Sequence, residues 1–198
     1  MVTENKILMK KARESLKGYW GLAIAVSLLY IVFILILSTA TKPLFILGFV
    51  IQLLITGPLV LGFLSFNLSL SRKKKPEIGQ LFDGFNNFLP NAKVYLLRLW
   101  FTFLWFLLLI IPGIIASIRY SQAYYIILDN KKISPSDAIE QSKKMMRGHK
   151  WKYFCLGWRF FGWAILCILT LGVGFIWLIP YVALSYAKFY DDVKSSAK

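Results

Sequence analysis

Residues 19–70 read YWGLAIAVSLLYIVFILILSTATKPLFILGFVIQLLITGPLVLGFLSFNLSL, and Lys42 is the sole charged side chain among them. Lys42 and Pro43 divide the stretch into two apolar runs, from about Tyr19 to Thr41 and from about Leu44 to Leu70. Each run reaches the ~20 residues that a helix needs to cross a hydrocarbon core. Proline is favoured in a first helical turn, so Lys42-Pro43 reads as the bend of a helical hairpin. The basic residues ahead of the first run (Lys6, Lys10, Lys11, Arg13, Lys17) give it some likeness to a signal peptide. Its near-spanning length favours a retained helix instead.

Working outward, four further apolar segments occupy residues 92–111, 113–128, 151–171 and 174–190. Short connections rich in Pro and Gly (Pro112-Gly113, Leu171 to Gly174) alternate with long charged ones, 72–91 and 129–150. The expected fold is all-α: a polytopic membrane helix bundle in one domain, 1–198, with six transmembrane helices in three hairpins. The fourth segment is short, which leaves open a re-entrant pair made by the third and fourth.

Composition agrees. Hydrophobic residues make up 58% of the chain, against the roughly 45–50% of a soluble domain. The net charge of +15 would suit a nucleic-acid binder, but its distribution does not. Of the Lys and Arg, only Lys42 falls on an expected outer connection, and all Asp and Glu lie on the other side. That is the positive-inside pattern, and no nucleic-acid-binding motif accompanies it. Both ends are therefore expected in the cytoplasm.

Three charged segments are amphipathic. Residues 1–18 align Leu8, Ala12 and Leu16; the stretch after Glu77 places Ile78, Leu81, Phe82, Phe85 and Phe88 near helical spacing, weakened by Gly79 and Gly84. In the third, Ser134-Pro135-Ser136-Asp137 reads as an N-cap, an N1 proline and an acidic N3, ahead of an Ala138, Ile139, Ser142, Met145, Met146 face. Such helices either lie flat in the headgroup region or pack on the cytoplasmic ends of the bundle. An amphipathic helix followed by a hairpin then forms a weak threefold repeat: Lys17-Gly18-Tyr19-Trp20 echoes Arg147-Gly148-His149-Lys150-Trp151, and Pro58, Pro112 and Pro180 recur in the returning halves.

The chain resembles the domain of unknown function 975 family of bacterial integral membrane proteins. The resemblance lies in Ile55-Thr56-Gly57-Pro58-Leu59, Leu81-Phe82-Asp83-Gly84-Phe85, Ile110 to Ile114, Ser142 to Lys150 and Leu178-Ile179-Pro180-Tyr181. It implies a small multi-helix protein of the bacterial cytoplasmic membrane, distantly similar to the membrane portion of some glycerophosphodiester phosphodiesterases. It supplies no catalytic residues.

Ionisable residues inside the apolar segments are the best functional pointers, because charge in hydrocarbon is costly. Arg98, Arg119 and Arg159 fall at matched depth, roughly 10–15 Å from the inner boundary at 1.5 Å per residue, with no carboxylate at that level. An anion between the helices, such as a lipid phosphate, would suit their planar forks, with Tyr120, Gln122, Tyr124 and Asn67 completing the site. Snorkelling to the headgroups is the competing reading. Arg72, Lys73, Lys74, Lys75, Lys143, Lys144, Arg147, His149 and Lys150 are expected to contact anionic headgroups. His149 is the lone histidine, and Cys155 and Cys167 stand twelve residues apart with no partner spacing, so no metal, cofactor or catalytic group is expected. Gly57, Gly62, Gly172 and Gly174 suit close helix approach.

The leading expectation is a non-catalytic membrane protein that binds, senses or moves an anionic lipid or amphiphile through a cytoplasm-facing cationic cavity. A scaffold or immunity-type protein acting through a membrane-protein partner or homo-oligomer, and a small-solute transporter or channel, are the alternatives.

Overall fold

A computed structural model describes residues 3–196. Among them the chain is all-helical: α1 (Asn5–Leu16), α2 (Trp20–Thr41), a 3-10 turn (Lys42–Leu44), α3 (Phe45–Ser71), a 3-10 segment (Ile78–Phe85), α4 (Phe88–Leu108), α5 (Ile110–Arg119), α6 (Ala123–Asp129), α7 (Pro135–Met145), α8 (Lys150–Leu169) and α9 (Phe175–Ser196).

The opening apolar stretch folds as its residues dictate. Lys42–Leu44 makes the turn, Phe45 takes a left-handed φ of 46°, and α3 returns along α2. Tyr30 stacks on Phe63 at 4.7 Å, which fixes the antiparallel register.

Among the described residues, two stretches are long and apolar enough to cross a membrane, Trp20–Ser71 and Lys150–Leu169. The first of these is the whole α2–α3 hairpin. The remaining segments fall short for identifiable reasons. α4 carries Lys93 and Arg98, and α9 ends in Lys188, Asp191, Asp192 and Lys194. The expected fourth segment, 113–128, is two short helices parted at Tyr120–Gln122. The bend that precedes it sits at extended Leu109, so Pro112-Gly113 falls inside α5 and not between helices.

Three apolar clusters form the core, and α9 contributes to each: Ala187 and Tyr190 to the α3–α7 cluster, Leu184 to the α1–α3 cluster, and Leu178, Phe189 and Val193 to the α8 cluster. The amphipathic segments use their apolar faces in this packing. Leu8, Ala12 and Leu16 are buried, as are Ala138, Ile139, Ser142 and Met146. In the segment weakened by glycine, Leu81 turns inward while Ile78 and Phe82 stay exposed.

Glycine has two separate uses. A Cβ on Gly62 would strike the Leu81 carbonyl, and one on Gly84 would strike that of Pro58. The 3-10 segment therefore lies flush on α3, joining two of the stretches that carried the family resemblance. Gly57 lies against Tyr95 and Ala92 in the same way. Gly172, expected at a close approach, meets nothing and serves the α8–α9 bend through its φ of 88°.

Of the expected repeat, the junction ahead of the hairpin recurs in two units of three. Gly18 and Gly148 have φ of 85° and 80°, a conformation that L side chains avoid. The hydrogen bonds also match, Tyr19 N–H to the Leu16 carbonyl and His149 N–H to that of Met146. The middle unit instead runs from its 3-10 segment through Asn86 and Asn87 into α4.

Candidate anionic headgroup site

The charged end of the bundle is built on α9. Asp129 at the end of α6 accepts two hydrogen bonds from Arg72, at 2.7 and 2.9 Å, one from the Tyr190 hydroxyl at 2.9 Å and another from Lys194. Arg72 also binds Asp191 at 2.8 Å, and Ser71 donates to the same carboxylate. Burial alone would raise the Asp129 carboxyl. The hydrogen bonds from Arg72, Lys194 and Tyr190 outweigh it and hold the group at about 2. A second clasp ties the chain start to α8 and α9: Lys152 pairs with Asp192 at 2.7 Å, and the Thr3 N–H and hydroxyl donate to that carboxylate. Burial of Asp192 is likewise outweighed, by Lys152 and Thr3, and its carboxyl lies below the usual range.

Beside the first network lies a cavity of about 640 Å³. Lys144, Arg147, His149 and Lys194 supply its basic wall, Asn130 and Gln141 its neutral donors, and Ile126, Met145 and Tyr190 its apolar part. Asp129 is the one carboxylate lining it, and that group is already engaged by Arg72, Lys194 and Tyr190. Lys144 also meets Glu140 at 3.1 Å on an exposed surface, where such a pair is worth little. The cavity therefore carries a positive surplus and suits a phosphate or carboxylate.

The residues expected around an intramembrane anion are divided. Arg98 lies over the Tyr124 ring at 4.4 Å, and Tyr95 stacks on Tyr124. This is a cation–π site. Tyr120 accepts from the Trp105 indole, and Gln122 joins the break between α5 and α6. There Ser142 of α7 accepts the Gln122 N–H and donates to the Arg119 carbonyl, so one hydroxyl satisfies both sides of the interruption. Asn67 turns back to the Phe63 carbonyl of its own helix. Arg159 is exposed and lines a separate cavity with Glu4, Lys6 and Lys152.

Of the residues expected at headgroups, Lys73, Lys74 and Lys75 are exposed, and Lys144, Arg147 and His149 share the cavity. Lys150 begins α8. Lys143 instead reaches the Phe101 and Tyr120 rings at 5.7 and 5.6 Å, and Arg72 is taken up by its two carboxylates. Sequence reasoning missed Asp129, Asp191, Tyr190 and Lys194 as partners. The signal was the placement of Asp129 and Asp191-Asp192 directly after apolar runs, where a carboxylate needs a cation.

An all-helical bundle of apolar hairpins with a basic pocket at one end defines the class. Residues 98–197 match the family described as protein of unknown function (DUF975), and the chain belongs to that family. No curated protein and no solved structure matches it, so neither comparison supports the similarity to glycerophosphodiester phosphodiesterases.

Proposed function

We propose that this is a non-catalytic, multi-pass protein of the bacterial cytoplasmic membrane that binds an anionic amphiphile by its headgroup at the inner face. The membrane part rests on the exposed apolar surface. Phe45 is 86% exposed and Leu171 96%, with Leu107 to Ile111 close behind. Water does not tolerate so large an apolar surface, whereas hydrocarbon does. The charged network gathers where α3, α6 and α9 end, and the Lys42–Leu44 bend lies at the opposite end of the 27-residue α3. Hairpins inserted from the cytoplasm, with both chain ends inside, fit that polarity.

The observation that carries the binding role is the surplus of cations in the 640 Å³ cavity, next to an apolar wall able to receive the start of a chain. Arg159 is exposed and free to reach headgroups, whereas Arg98 is held over the Tyr124 ring. Bilayer nanodiscs containing phosphatidylglycerol and phosphatidylcholine in equal amounts test this. The protein should retain phosphatidylglycerol preferentially, and the double variant Lys144→Gln, Arg147→Gln should weaken that retention about tenfold. Equal retention of the two lipids, or full retention by the double variant, contradicts the reading.

A further inference from the structure

A second groove shares no lining residue with the charged cavity. α2 and α8 both pack on α9 and leave between them a groove of about 460 Å³. Its floor is Cys167 and Leu178, each 8% exposed, and Trp163 and Trp177 are half-exposed walls. At the α8–α9 bend the Thr170 hydroxyl donates to the Cys167 carbonyl and accepts the Gly174 N–H. Its single O–H is spent on the backbone, so Thr170 offers the groove no donor.

The other end is different in kind. Arg13 of α1 and the Trp20 indole stand at the mouth, at the level where α1 meets the hairpins. Arg13 pairs with no carboxylate among the described residues. An apolar slot of ligand size with one guanidinium at its rim matches one kind of molecule: a chain of hydrocarbon ending in an anion. Trp20 suits the same boundary, where an indole has one apolar and one hydrated side.

We propose that this groove holds one acyl chain of an anionic phospholipid from the surrounding bilayer, with its phosphate on Arg13. The inference shares the bilayer setting proposed above but uses none of the residues of the charged cavity. Arg–phosphate contact is charge-assisted and bidentate. Trp163 and Trp177 hold the chain in place, and a neutral headgroup gains nothing from Arg13.

Native mass spectrometry of protein released from nanodiscs of phosphatidylglycerol and phosphatidylcholine separates the two sites. The wild type should keep two phosphatidylglycerol molecules. Arg13→Gln alters an exposed side chain and should remove one of them, lowering its occupancy about tenfold. Cys167→Phe, which fills the floor, should do the same. Trp163→Ala serves where the larger ring disturbs folding, since Trp163 is exposed and its loss removes a wall. The Lys144→Gln, Arg147→Gln variant should lose the other molecule and keep this one. Retention unchanged by Arg13→Gln, or loss of phosphatidylcholine in equal measure, overturns the groove whatever the cavity variant does. Loss confined to Arg13→Gln and Cys167→Phe leaves the groove standing and removes the cavity reading.

Discussion

The α2–α3 and α4–α5 hairpins share a design and differ in charge-free length. Residues 18–41 and 43–71 carry no charge on either leg of the first hairpin, and Lys42 sits at its bend. In the second, Arg98 and Arg119 enclose only residues 99–118 for both legs and the bend together. At 1.5 Å per residue the first hairpin offers more than ~30 Å of apolar helix per leg, and the second roughly 15 Å. The hydrocarbon core is about 30 Å thick. The first hairpin is long and apolar enough to cross fully, which in our account places its Lys42 in the far headgroups. In our account the second is re-entrant, its bend at Leu109 resting near the bilayer centre. A bend without a charge is a bend that need not reach water.

The largest effect should come from placing a charge on each bend. Leu44→Arg adds a cation beside Lys42 and should change membrane integration little. Leu109→Arg puts one near the midplane and should cost about 3 kcal/mol, seen as a fall in the integrated fraction. Equal tolerance at both bends would make the second hairpin a full crossing.

The two hairpins are tied together at Asp129, where Arg72 from the end of α3 meets α6. Asp129→Asn leaves Arg72 with Asp191 alone and should lower stability by about 2–3 kcal/mol in thermal unfolding within nanodiscs. The same contact predicts acid sensitivity. The carboxyl lies at about 2 in the folded chain and has an ordinary value of 3.8, so the unfolded chain binds the proton more readily. Its contribution, of order 2 kcal/mol, is fully present above about pH 4 and is lost as pH falls toward 2. Unfolding followed from pH 5 to pH 2 should show a larger loss in the wild type than in Asp129→Asn, where the lowered Asp192 carboxyl still contributes.

Ser142→Ala removes the hydroxyl that bridges Gln122 N–H and the Arg119 carbonyl, and should cost about 1–2 kcal/mol. Faster hydrogen exchange at residues 120–123, with α2 and α3 unaffected, would confirm that the break belongs to the second hairpin. Smallest is Ser134→Ala, which deletes the cap accepting the Asp137 N–H and should cost about 1 kcal/mol in α7.

Much of this architecture was legible because hydrophobic run length and punctuation act locally. Lys42-Pro43 located a bend, Ser134 to Asp137 gave the α7 cap residue by residue, and Leu8, Ala12 and Leu16 identified the buried face of α1. What escaped the sequence depends on contacts between distant segments. Tyr120–Gln122 reads as helix until Ser142 of α7 supplies partners for an interruption. Arg72 reads as a headgroup contact until Asp129 and Asp191 are brought beside it. Arg13 reads as one more surface cation until α2, α8 and α9 leave a slot at its side. Depth along the chain matched Arg98 with Arg159, but helix position around the bundle sends one to Tyr124 and the other to the surface near Lys6.

Sidedness of the first hairpin tests the account most directly. In a background where Cys155 and Cys167 are replaced by serine, Lys42→Cys and Lys74→Cys can be labelled in intact spheroplasts with a membrane-impermeant maleimide. Lys42→Cys should react from outside, and Lys74→Cys only after the membrane is opened. Reaction of both from the same side, or release of the chain by alkaline carbonate without detergent, would contradict a hairpin that crosses the bilayer.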